Sequence, residues 1–99
     1  MTRIKEMVDK INDELHGAKD YAEDYLTMKA KNNVNWANRY KEMSTDELKH
    51  AGYLHERAVE EIEELRRTYT PPEEMLQKWE HEHKKYIEKT AWIKQMLAM

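Results

Sequence analysis

The chain has no cysteine and no phenylalanine, and only 2 glycines and 2 prolines among its 99 residues. Without cysteine there is no disulfide framework, no zinc–thiolate site and no thiolate-held iron centre. No apolar run approaches the length needed to span a bilayer. The first residues, Met1-Thr-Arg-Ile-Lys-Glu-Met7, are amphipathic and charged, unlike a signal peptide. A cytoplasmic protein with no membrane association is therefore expected. A basic stripe is missing as well: 17 basic and 20 acidic side chains are mixed along the chain and leave a net charge of −3. That balance argues against nucleic acid as a partner.

What remains is a helix-forming composition, rich in Glu, Lys, Ala, Leu and Met, residues that lose little freedom in a helix. With Phe absent, 6 Tyr, 3 Trp and 7 Met supply bulk to the core. Ninety-nine residues make one domain, 1–99. Apolar residues recur at steps of three and four from Ile4 through Ile11, Leu15 and Ala18 to Met28, which predicts a helix over about 2–31 with Thr2 as N-cap. Asn32-Asn33 breaks it. A second stripe, from Trp36/Ala37 through Tyr40, Ala51 and Ala58 to Leu65, predicts a helix over about 34–68. Thr70-Pro71-Pro72-Glu73 then reads as a start signal, with Thr70 as cap and Pro71 in the first position, for a third helix over about 71–98. Short connections make sequential helices antiparallel neighbours, so the expectation is an all-α, up-down-up bundle. Ser44-Thr45-Asp46-Glu47 also fits a capping box that would restart the second helix, although the apolar period passes through Ser44 without a slip.

Glu-x-x-His occurs twice, as Glu47-Leu-Lys-His50 and Glu80-His-Glu-His83. Residues three apart share one side of a helix, so each pair can serve one ion. With Glu this abundant, the spacing alone says little, and position says more. Glu14 lies between Ile11 and Ala18 on the apolar stripe of the first helix. Glu47 and His83 occupy similar places on the second and third, and Glu80 sits at a stripe edge. A carboxylate turned into apolar packing needs a cation or a hydrogen-bond network to compensate it. Glu14, Glu47, His50, Glu80 and His83 are accordingly the candidate metal ligands. Carboxylate and imidazole together suit iron or manganese. In the bland reading the Glu side chains snorkel to water and His83 bonds a carbonyl. His16 lies one turn off the stripe, and His55 and His81 read as solvent-facing.

Ile11-Asn-Asp-Glu14-Leu-His-Gly-Ala-Lys-Asp-Tyr21 resembles the first helix of bacterioferritins. Asp46-Glu47-Leu-Lys-His50-Ala51 resembles their second helix, and Glu80-His-Glu-His83-Lys-Lys-Tyr86-Ile87 their fourth. The likeness is to the ferritin-like superfamily of bacterioferritin and rubrerythrin type, with that family's third helix missing. It implies a bundle completed by homo-oligomerisation and a di-iron or di-manganese site that oxidises ferrous iron or handles O2 or peroxide. It further implies that Tyr21 lies near the metals. The missing helix leaves five ligands where the family has six. The rival expectation is a non-catalytic helical interaction or scaffold protein that kept the bundle without a working site.

Overall fold

The computed structural model describes residues 2–99, with the side chain of Thr2 excepted, so the cap expected from Thr2 lies outside what is described. Three helices account for nearly all of it: α1 (Thr2–Ala30), α2 (Val34–Thr68) and α3 (Glu73–Ala98). The described residues contain no strand. The molecule is a rod of 55 × 17 × 17 Å.

Both connections follow from local chemistry. Asn32 takes a positive φ of 60°, a conformation in which Asn ends helices readily. Its N–H donates to the Lys29 carbonyl and that of Asn33 to Met28, which closes α1. The Asn33 side chain then accepts from the Trp36 amide at 3.2 Å and caps α2. The second connection corrects the expected start signal. The N-cap is Pro72, with ψ of 140° and no side-chain cap, and the helix begins at Glu73 rather than at Pro71. The physical reason is Pro72 itself, because a residue that precedes proline is driven out of the helical region. Pro71 is buried and serves packing.

α1 and α2 form the tight unit. Ala18, Ala22, Ala51 and Ala58 are completely buried, and Ala37 nearly so. Short side chains let the two backbones approach closely, and Leu15 fills the seam at 1% exposure. Arg3 pairs with Glu61, Glu14 lies beside His50, and Ser44 meets Ala18, so the two helices run in opposite directions. The Ser44 hydroxyl, fully buried, donates to the Ala18 carbonyl at 2.6 Å. It is therefore tied to α1 and caps nothing: α2 runs unbroken through it. Ser44→Ala is expected to lose about 1 kcal/mol, read as a lower urea midpoint with an unchanged m value.

α3 lies mainly against α1 and touches α2 at few points. Asn12 donates to Glu82 at 3.4 Å, and Lys29 reaches the Met99 carbonyl, so α3 runs in the direction of α1. Ile93, Met96 and Leu97 join the core. Near the middle of the rod, His55 meets His83, and the Tyr86 hydroxyl stands close to Gly52.

Candidate metal centre

Glu14, Glu47 and His50 each offer an oxygen or nitrogen within 4.8 Å of the others, the one such grouping among the described residues. α1 supplies Glu14, and α2 supplies Glu47 and His50, which stand three apart on the same side of the helix. His50 Nδ1 is 3.6 Å from the Glu14 carboxylate. Glu14 and Glu47 are half-buried, and His50 is exposed. A hydrogen bond with Glu14 raises the Glu47 pKa above its ordinary 4.5. Burial and the negative charge of Glu14 push the same way, Asp46 adds to them, and His50 opposes. Two carboxylates held this close repel one another, and a divalent ion between them relieves that repulsion.

Glycine makes the room. A Cβ at Gly17 would stand 3.4 Å from Glu47 Oε2, so the Glu47 carboxylate lies directly over that position. A methyl group there would just fit against the carboxylate.

The triad faces away from α3. Asn12 and Gly52 are turned toward α3. Glu14 and His50 each stand two residues away, which is about 200° around their helices. The expected second ligand pair therefore does not join the first. Glu80 is exposed, and His83 Nδ1 lies 2.8 Å from His55 Nε2. The spacing of Glu80-x-x-His83 is that of a ligand pair, but its helix packs on the other side of the hairpin. Tyr21 sits two turns beyond Glu14 and stacks on Tyr40 at 6.2 Å, and Tyr40 in turn meets Trp36 at 5.7 Å.

His16 is exposed and paired with Asp20, and His81 is exposed. His55 corrects the solvent-facing reading. It is half-buried and stacked on Tyr86 at 4.1 Å with an interplanar angle of 8°, with Trp79 and His83 alongside. Its place four residues after Ala51 and three before Ala58 was the available signal. Burial, reinforced by the positive charge His83 can carry, lowers the His55 pKa from 6.5. The unfolded chain therefore takes up this proton more readily than the native protein. This group's contribution to stability is complete above pH 6.5 and is lost as pH falls from there through the lowered native value. Unfolding midpoints are expected to drop between pH 7.5 and 5.5, and His55→Phe, which keeps the stack, to flatten that slope.

Comparison with protein-family models, with curated proteins and with solved structures returns no match. The case for function rests on the site.

Proposed function

We propose that the chain is a small ferritin-like metal-binding protein whose Glu14, Glu47 and His50 hold iron or manganese, with ferrous iron as the substrate to be oxidised. The observation that carries this reading is the pair of carboxylates from two helices beside an imidazole, crowded enough to raise the Glu47 pKa. Mixed carboxylate and imidazole ligands fit these ions. Bound ferrous ions supply one electron each, and O2 or peroxide accepts them.

The residues around the triad have roles of their own. Glu47, with Glu14 at its side, can bridge or chelate, and Glu14 is a terminal carboxylate. His50, exposed at the mouth, would supply the imidazole. The ferritin-like ligand set is one Glu from each of two helices plus a Glu-x-x-His from each of two others. A single α1–α2 hairpin supplies half of that set. The half-set lies on the face that α3 leaves open, so a second hairpin related by a twofold axis would supply the same three ligands again. In this reading a homodimer forms the four-helix bundle, the two α3 helices lie outside, and the second Glu-x-x-His comes from the second copy rather than from Glu80 and His83.

The scaffold reading draws support from Tyr53, Ile87 and Trp92, each more than half exposed. Thermal unfolding with and without Mn2+, or anaerobic Fe2+, separates the two. A ligand that binds only the native state raises Tm in proportion to its occupancy. The metal-binding reading expects a saturable rise, whereas a pure scaffold melts at one temperature throughout.

A further inference from the structure

On the opposite side of α2, α2 and α3 line an open groove of about 530 Å³, within the range of small-molecule sites. Its floor is apolar, formed by Leu48, the Tyr86 ring and Leu97. Three lysines line it, Lys41, Lys49 and Lys94, and no carboxylate does, in a chain whose net charge is −3. Among the described residues none of the three has a carboxylate within ion-pair distance. Lys41 lies instead over the Tyr25 ring, 5.7 Å from its centroid. Three ammonium groups left without counter-charge around an apolar floor call for a ligand that is apolar along its length and anionic at one end.

The shape orients the occupant. Here α2 and α3 are pinned together at one end of the groove. His55 and His83 are 2.8 Å apart, and the Tyr86 hydroxyl lies 3.6 Å from where a Gly52 Cβ would be. The groove closes at that end, and Lys41, Lys94 and Leu97 stand at the other, which sets the direction of a bound chain.

We propose that this groove binds one single-chain anionic amphiphile, its tail on Leu48, Tyr86 and Leu97 and its carboxylate or phosphate head held by Lys41 and Lys94. The groove lies on the other face of α2 from Glu47 and His50, so it stands or falls separately from the metal reading.

Calorimetric titration of the full chain with dodecanoate, below its micellar concentration, tests this. Saturable binding of one molecule per chain is expected. Lys41→Gln with Lys94→Gln should weaken it roughly tenfold or more, as should Thr45→Trp, which fills the groove from its exposed wall. Neither change should alter the metal-dependent rise in Tm. Dodecyl phosphate in parallel tells which head is preferred, and anionic phospholipid vesicles should not bind, since the groove holds one chain. Absence of saturable binding would overturn the proposal. So would equal binding of uncharged dodecanol, or affinity unchanged in the lysine variant, because either outcome means adsorption to exposed apolar surface.

Discussion

Glu47→Gln is expected to raise the Tm of the metal-free protein at neutral pH and to abolish its stabilisation by Mn2+ or Fe2+. Folded Glu47 keeps its proton above pH 4.5, where the unfolded chain has already released it. The native state then binds more protons, so stability falls as pH rises from 4.5 through the raised native value. At pH 7 the ionised Glu47 beside Glu14 is thus a liability that a neutral amide removes. For the wild type, metal at a hundredfold excess over Kd should add about 2.7 kcal/mol. In a domain of this size that is a Tm rise of about 10–20 °C. Differential scanning fluorimetry reads both arms. If Glu47→Gln melts lower without metal, or still gains stability with it, the account of this residue fails.

The second large effect concerns packing. Ala51 is completely buried on the α1–α2 seam, next in sequence to His50. Ala51→Leu forces three more heavy atoms into a filled site, an overpacking cost of about 1–3 kcal/mol. The same leucine pushes α2 off α1 at the level where Glu14 and His50 stand 3.6 Å apart. Both stability and metal binding should therefore suffer, with Tm lower by roughly 10 °C. Ala51→Gly separates the two causes. It costs about 1 kcal/mol through helix propensity but keeps the helices close, so it should retain the metal response. Loss of that response in both variants would mean that general instability, and not interhelical spacing, controls the site.

The small-residue seam also explains how much the sequence disclosed. The three helices were legible because Ile4, Ile11, Leu15 and Ala18, then Ala51, Ala58 and Ile62, then Ile93 and Leu97 recur with helical period and are in fact buried. Glu14, Glu47 and His50 could be picked out as candidates because they border that same stripe on two helices joined by a short turn, a placement that permits their meeting without requiring it; the structure brings the three together. Glu80 and His83 were not, because their motif records the spacing within α3 and nothing about which side of the hairpin α3 occupies. That choice is made by contacts such as Asn12 with Glu82 and His55 with His83, which no periodicity encodes. The start of α3 was misplaced by two residues because a favourable local signal, Thr followed by Pro, was overridden by the steric demand of the second proline on the first.

Glu14, Glu47 and His50 are proposed to hold metal on the open face of the hairpin. The most direct measurement is iron per chain, by plasma mass spectrometry, after aerobic Fe2+ loading and desalting, for the wild type and Glu47→Ala side by side. A dinuclear site shared by two chains predicts about one iron per chain, lost in Glu47→Ala. Wild-type protein that retains no iron, or a Glu47→Ala protein that retains as much, would contradict the account.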